Sequence, residues 1–144
     1  MNWTISTLKE LHDIAEEIYK TLEKDSEHAT LLTLKGDLGV GKTAFTKELA
    51  NILGIKEHIT SPTFVLAKQY KLEDQKFDQL IHIDAYRLEE GEDLNPINFK
   101  EMLEDSHNLV VLEWPERVAS ALPEWQKEIT ITLDGEKRNI TYGN

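Results

Sequence analysis

Short apolar runs separated by polar turns mark out the strands of this chain. The runs at 30–34, 80–83 and 109–112 have the length and composition of buried strands. A shorter strand is predicted at 3–5, and the segment 64–70 also has strand character. The pattern therefore predicts strands distributed along the whole chain.

Helical periodicity fills the intervals between these runs. Thr7 and Glu10 have the spacing of a capping box. Apolar residues recur at helical spacing along this helix and would cover one face of a sheet, namely Leu8, Leu11, Ala15, Ile18 and Leu22. Further helices are predicted at 44–53 and, over a shorter length, at 97–103. Near the end of the chain, alternating residues on either side of Asp134-Gly135 predict a β-hairpin.

One segment between a predicted strand and a predicted helix carries a complete phosphate-binding motif. It reads Gly36-Asp37-Leu38-Gly39-Val40-Gly41-Lys42-Thr43, the G-x-x-x-x-G-K-[ST] pattern of a P-loop. The glycines let successive N–H groups turn toward an anion, and the start of the helix adds unpaired N–H groups of its own. Lys42 would bind the β- and γ-phosphates of a nucleotide, and the Thr43 hydroxyl would bind Mg²⁺. The alternative is a glycine-rich turn without a ligand, and the strand–loop–helix context argues against it.

Two predicted strands end in a carboxylate. Asp84 and Glu113 each directly follow an apolar run. In a P-loop protein such acids hold Mg²⁺ or orient the attacking water, and two acids could fill both tasks. Either acid alone could instead cap a strand end. Arg87 could contact phosphate or form an ordinary salt bridge, and the pattern assigns His82 no role.

Two further features lie close to these motifs in the sequence. Ser61 and Thr63 flank Pro62, which fixes a bend a short way after the P-loop. Hydroxyls at such a bend suit a segment that senses the γ-phosphate, although an ordinary Ser-Pro turn has the same spacing. Trp114 directly follows Glu113, where it could close over a nucleotide or a partner, or simply fill the core.

Composition limits the remaining possibilities. The chain has 144 residues, which predicts a single domain over 1–144, and it contains no cysteine, which excludes disulfides and thiolate chemistry. A net charge of −11 disfavours direct binding of naked nucleic acid. No apolar run approaches membrane-spanning length and no signal-peptide pattern is visible, so we expect a cytoplasmic protein without a membrane partner.

Taken together, these motifs resemble TsaE (YjeE-type) ATPases, small bacterial proteins needed to make threonylcarbamoyladenosine in tRNA. The motifs that carry the resemblance occur in this order: the P-loop, Ser61-Pro62-Thr63-Phe64, His82-Ile83-Asp84-x-Tyr86-Arg87-Leu88 and Glu113-Trp114-Pro115. The resemblance runs from the first strand to the terminal hairpin. The last two motifs together are not a general feature of P-loop proteins.

The resemblance implies an α/β fold: a P-loop NTPase sheet with a parallel core, antiparallel edge strands and helices on both faces. It also implies slow hydrolysis of Mg²⁺-ATP to ADP, coupled to the partner proteins TsaB and TsaD. Those partners would carry out threonylcarbamoyl transfer over multiple turnovers, and tRNA would be met only indirectly, through the complex.

The resemblance also assigns roles in hydrolysis to particular residues. Lys42 would bind phosphate and act with Asp84 in catalysis, while Thr43 and Glu113 would hold Mg²⁺. Whether Asp84 is the general base or acts through Mg²⁺ stays open. Trp114 would lie beside the site.

Other positions are assigned to the adenine and to a switch. Ser61 and Thr63 would lie in the switch-like segment that senses nucleotide or partner. The adenine is expected near the first strand–helix turn and the final hairpin, which indicates Thr7 and Lys137 or Arg138.

Three other functional classes compete with this interpretation. A small-molecule P-loop kinase usually has an arginine-bearing lid, and no arginine occurs between Arg87 and Arg117. A Ras-like GTPase is disfavoured because the chain has no Asn-Lys-x-Asp motif to read guanine. A nucleotide-gated adaptor, in which hydrolysis only resets a binding surface, differs from the ATPase in emphasis alone.

Overall fold

The structure is a computed structural model that describes residues 1–57, 59 and 66–143. Within these residues the chain forms a seven-stranded sheet in the order β1-β7-β6-β2-β5-β4-β3. The strands are β1 (Asn2–Ile5), β2 (Thr30–Lys35), β3 (Ala67–Lys71), β4 (Gln79–Asp84), β5 (Asn108–Glu113), β6 (Lys127–Asp134) and β7 (Lys137–Gly143). The helices are α1 (Leu8–Thr21), α2 (Lys42–Ile52) and α3 (Phe99–Glu104), with a first 3₁₀ segment at Gly91–Ile97 and a second at Pro115–Ala121.

The centre of the sheet is parallel and its edges are antiparallel. β2 pairs in parallel with both β5 and β6, and β5 pairs in parallel with β4. β1, β7 and β3 join through antiparallel pairs. Since β2 is a central strand, the loop that follows it lies in the middle of the row of carboxyl ends of the parallel strands, where ligands of α/β sheets bind.

Helical elements lie on both faces of the sheet, as the resemblance implied. α1 and α2 pack on one face in a cluster that includes residues of every strand, for example Ile5, Ile129 and Leu80. The two 3₁₀ segments and α3 pack on the other face, over β2, β5, β4 and the start of β3. The predicted fold class is therefore confirmed: an α/β sheet with a parallel core and antiparallel edges.

Some local predictions were wrong in detail. The helix predicted at 97–103 is divided, because the first 3₁₀ segment ends at Ile97 and Asn98 adopts a left-handed conformation with φ 56° before α3 begins at Phe99. The hairpin turn lies one residue later than predicted, since Asp134 pairs with Lys137 and Gly135, at φ 64°, takes the first turn position.

The start of one predicted strand lies outside the described residues, and one side chain is more exposed than predicted. The strand predicted at 64–70 is described only from residue 66, and β3 begins at Ala67; the earlier part lies outside the described residues. Leu8, expected on the buried side of the first helix, is 66% exposed. None of the helices in the described part of the chain is both long enough and apolar enough to cross a bilayer.

Candidate functional site

The loop between β2 and α2 has a backbone conformation that requires glycine at two positions. Gly39 and Gly41 have φ values of 79° and 116°, which L side chains rarely adopt. A Cβ on Gly36 would lie 2.6 Å from the Ile131 carbonyl oxygen, so a larger residue there would collide with the backbone of β6. Gly41 caps α2 without a side-chain hydrogen bond, which leaves the first N–H groups of the helix for an anion.

The terminal hairpin holds the outer side of this loop. Arg138 of β7 donates a hydrogen bond from Nε to the Val40 carbonyl oxygen at 2.6 Å. A carbonyl that is held outward favours N–H groups that point inward, toward a phosphate. Arg138 was predicted to lie near an adenine. In the structure it contacts the P-loop through this hydrogen bond to the backbone.

The side chain of Lys42 packs against the protein and contacts Gly36 and Trp114. Its side chain is buried, with 5% exposure, and its ammonium group donates to the Gly36 carbonyl oxygen. The same group lies 3.5 Å from the centre of the Trp114 ring, and Trp114 adopts the left-handed region at φ 62°. Burial lowers the pKa of Lys42 below its usual value. The surrounding carboxylates act in the opposite direction, namely Glu113, Glu116, Asp84 and Asp37.

The two strand-end acids meet at the same edge of the sheet. Asp84 and Glu113 are direct partners in the parallel register of β4 and β5, so their side chains lie on the same face. The Asp84 carboxylate accepts a hydrogen bond from the Tyr86 N–H at 3.0 Å. Both acids line a cavity of about 510 Å³ together with Lys42 and Thr43. The residues predicted to bind phosphate, Mg²⁺ and the attacking water therefore share one cavity.

His82 belongs to this cluster, although the sequence pattern gave it no role. It is fully buried, and its Nε2 lies 2.6 Å from Oε2 of Glu113, which is 3% exposed. The available signal was its position two residues before Asp84 in a strand, which puts both side chains on one face. The partner on a neighbouring strand could not be read from spacing.

A second, smaller cavity adjoins the first. It has a volume of about 140 Å³ and shares Gly41, Ala44 and Arg138 with the larger one. Its other lining residues come from the β1–α1 turn, α1, the P-loop and the hairpin, namely Ile5, Ser6, Thr7, Leu8, Leu11, Val40, Ile131 and Ile140. The exposed Leu8 forms part of this wall. The Thr7 hydroxyl contacts Glu10, accepting from its N–H at 3.1 Å and donating to its carboxylate at 3.1 Å, so Thr7 is the N-cap of α1. The Glu10 carboxylate also accepts from the Ser6 N–H at 3.1 Å.

The remaining predicted residues differ in their position relative to the two cavities. Trp114 lies beside the site, as predicted. Lys137 is exposed and lines neither cavity, so the structure does not bring it to the others. Ser61 and Thr63 lie outside the described residues. Among the residues that are described, no group of three or more His, Cys, Asp or Glu side chains could hold a metal ion by itself.

Comparisons with known proteins agree with this architecture. A family model described as threonylcarbamoyl adenosine biosynthesis protein TsaE matches residues 5–140. The tRNA threonylcarbamoyladenosine biosynthesis protein TsaE of Treponema pallidum (strain Nichols) is 43% identical over 119 residues, which cover 80% of this chain and 82% of that protein. The protein of the same name from Rickettsia bellii (strain RML369-C) is 34% identical over 141 residues, covering 95% of this chain and 92% of the relative.

A solved structure supports the same conclusion. The crystal structure of Bacillus subtilis YdiB aligns with a TM-score of 0.77 and 27% sequence identity, over 99% of this chain and 83% of that one. A family model that covers most of the chain, together with relatives of this identity over most of its length, shows the family. The chain therefore belongs to the TsaE family, which acts in the biosynthesis of threonylcarbamoyladenosine in tRNA.

Proposed function

We propose that this protein is a Mg²⁺-dependent ATPase that supports tRNA threonylcarbamoyladenosine synthesis. The observation that carries the proposal is the single cavity in which a P-loop, its lysine, a hydroxyl and two strand-end carboxylates converge. This is the set of groups that phosphoryl transfer from a nucleotide requires: N–H donors and a cation for the phosphates, and oxygens for Mg²⁺.

The donor set fits Mg²⁺. Thr43 offers a hydroxyl, and Glu113 and Asp84 offer carboxylates, all hard oxygen ligands in one cavity. Mg²⁺ in such sites is held by one or two protein groups together with phosphate oxygens and water. We assign Thr43 and Glu113 to the ion. Bound Mg²⁺ would neutralise charge on the β- and γ-phosphates.

Asp84 is proposed to act on the attacking water. One oxygen of its carboxylate is held by the Tyr86 N–H. A carboxylate fixed in this way, opposite Glu113 in the strand register, could orient a water molecule toward the γ-phosphate. Asp84 is thus the residue whose loss should affect hydrolysis more than binding.

Lys42 must move for phosphate to bind. Its ammonium now donates to a carbonyl of the P-loop itself. A phosphate oxygen carries more negative charge than that carbonyl and forms a stronger, charge-assisted hydrogen bond, so the nucleotide would draw Lys42 away from Gly36. Trp114, stacked on the same ammonium, would then lie against the phosphates.

The smaller cavity is proposed to take the adenine. It is mainly apolar, adjoins the phosphate cavity across Gly41 and Ala44, and has a volume suited to one planar base. Leu8, Ile5 and Ile140 would contact the faces of the base, and Arg138 lies where the two cavities meet.

TsaB and TsaD are the proposed partners. The family acts in tRNA modification, and the net charge of −11 repels a phosphate backbone. We therefore propose that tRNA is met only through the TsaB–TsaD complex, in the cytoplasm, and that ATP hydrolysis resets that complex between turnovers.

The test is hydrolysis of ATP by the purified chain with Mg²⁺, alone and with TsaB and TsaD. We expect slow basal hydrolysis that both partners together stimulate. In Asp84→Asn, which retains an acceptor for the Tyr86 N–H, hydrolysis should fall by roughly 100-fold or more, while ATP affinity measured by calorimetry changes less than about threefold. Nucleotide binding with no hydrolysis in any mixture would contradict the ATPase, and the kinase class would then need to be considered.

A further inference from the structure

His82 and Glu113 form a buried polar pair inside an otherwise apolar part of the sheet. His82 is fully buried in β4, Glu113 is 3% exposed at the end of β5, and Nε2 of the imidazole lies 2.6 Å from Oε2 of the carboxylate. On the same face of β4 and β5, the neighbouring side chains are apolar, including Leu80, Leu109 and Val111. The imidazole is therefore enclosed by protein, and its N–H is the hydrogen-bond donor that the structure gives to Oε2.

The direction of this hydrogen bond follows from the chemistry of the carboxylate. An ionised carboxylate can only accept, so Nε2 of His82 carries a proton and donates it to Oε2 of Glu113. Nδ1 of His82 is buried and has no hydrogen-bond partner in the described part of the chain, so the contact with Glu113 is the only hydrogen bond of the ring there.

This bond fixes the carboxylate that faces the larger cavity. Oε2 is occupied by the imidazole, and Oε1 makes no hydrogen bond within the described residues, so it is the oxygen left for the cavity that Glu113 lines. A glutamate has three rotatable side-chain bonds, and a single firm donor on one oxygen restricts where the other can point.

We propose that His82 is a positioning residue, which holds Glu113 in the orientation that binds Mg²⁺ together with a nucleotide. The inference rests on the proposed function, because it needs Glu113 to be a Mg²⁺ ligand. A role in packing alone does not explain the residue, since a leucine would fill the same space without leaving a buried nitrogen unpartnered. Hydrogen bonds that orient metal ligands typically change metal affinity by about 10–100-fold when they are removed.

The experiment measures binding of ADP by calorimetry, with Mg²⁺ and with EDTA, in wild type and two variants. His82→Leu removes the donor at similar volume and should weaken binding in Mg²⁺ by roughly 10–100-fold, while affinity in EDTA stays within about twofold. His82→Gln carries an amide N–H that can reach Oε2, so it should regain most of the Mg²⁺-dependent affinity.

A matched control separates positioning from stability. Ile81→Val shortens the preceding buried residue, which lies on the opposite face of β4 in the other core cluster. It should lower the melting temperature slightly and leave the Mg²⁺ dependence unchanged. Should His82→Leu fail to fold, His82→Asn, whose amide stops short of Oε2, takes its place in the comparison.

The outcomes are distinguishable. A folded His82→Leu that binds Mg²⁺-ADP as wild type does would overturn the positioning role, and so would an equal loss in His82→Leu and His82→Gln. If wild type itself binds ADP equally well with Mg²⁺ and with EDTA, Mg²⁺ does not contribute to nucleotide binding and this inference fails, whereas the proposed function fails only if ATP hydrolysis with Mg²⁺ is absent as well.

Discussion

The two halves of the sheet differ in how they are covered and in what they contribute to the site. The parallel half, β2, β5 and β4, is buried on both faces, and the ends of its strands supply the P-loop, Asp84 and Glu113. On the other side of β2, the strands β6, β7 and β1 form the antiparallel half: β6 is parallel to β2, but β7 pairs antiparallel with both β6 and β1. This half is covered by α1 and α2 on one face and contributes nothing to the second core cluster among the described residues.

The open face of the antiparallel half is polar. On it, the Thr4 hydroxyl donates to the Asn139 side chain at 2.8 Å between β1 and β7. The covered face of the same strands carries Arg138 and the wall of the smaller cavity. The two halves therefore contribute differently: the strands buried on both faces supply the acids and the P-loop of the larger cavity, and the other half holds the loop and shapes the smaller cavity. Three substitutions test this difference, from the largest expected effect to the smallest.

Lys42→Met should have the largest effect on nucleotide binding. The substitution removes the P-loop lysine from the larger cavity, so we expect ATP affinity to fall by about 100-fold or more, as for loss of a charge-assisted hydrogen bond to phosphate. Calorimetry measures this change. Normal affinity in the variant would place the phosphates elsewhere.

The same variant should not destabilise the nucleotide-free protein. Burial lowers the pKa of Lys42 in the folded state, so the charged lysine costs stability at neutral pH, and methionine removes that cost. We expect a melting temperature at pH 7 equal to or above that of wild type. The difference should shrink as the pH rises toward the unfolded-state value of 10.5, where lysine loses its charge in both states. A markedly lower melting temperature would show that the stacking on Trp114 outweighs burial.

Arg138→Met should have an intermediate effect, because it cuts the contact between the two halves. Loss of the hydrogen bond to the Val40 carbonyl should lower the free energy of unfolding by about 1 kcal/mol and weaken ATP binding by roughly fivefold to tenfold, since the P-loop is less firmly held. The matched control is Lys137→Met. It removes the same charge from the neighbouring residue, whose side chain is exposed. Equal losses in the two variants would show that charge alone matters.

Thr4→Val should have the smallest effect. It breaks the hydrogen bond to Asn139 on the open face but keeps a β-branched side chain. The free energy of unfolding, measured by chemical denaturation, should therefore change by less than about 0.5 kcal/mol. Ile5→Val, the next residue on the covered face, should cost about 1 kcal/mol through a small cavity. A larger loss in Thr4→Val than in Ile5→Val would contradict the view that the open face contributes little.

The sequence predicted those parts of the site that depend on local spacing. The P-loop is contiguous, and Asp84 and Glu113 are marked by the apolar runs before them, so each could be recognised without knowing its neighbours. The contact between His82 and Glu113 spans 31 positions and depends on the register of two strands. The contact between Arg138 and Val40 spans 98 positions. No periodicity in one segment specifies such pairs.

Conformational details were out of reach for a related reason. Lys42 in a P-loop motif is expected to point at phosphate, yet its position against Gly36 and Trp114 depends on a left-handed backbone at a tryptophan, which no local rule favours. Leu8 fits the helical period but lies at the mouth of a cavity. The assignments of Ser61 and Thr63 to a switch stay predictions.

The bond between Arg138 and the Val40 carbonyl also bears on how the protein is made. Arg138, which holds the P-loop, is synthesised 98 residues after Val40, and the strand beside Gly36 is also made long after the motif. β1, the first strand, likewise has β7 as its neighbour in the sheet. A nascent chain therefore carries the whole phosphate-binding motif well before the residues that hold it in place have been made.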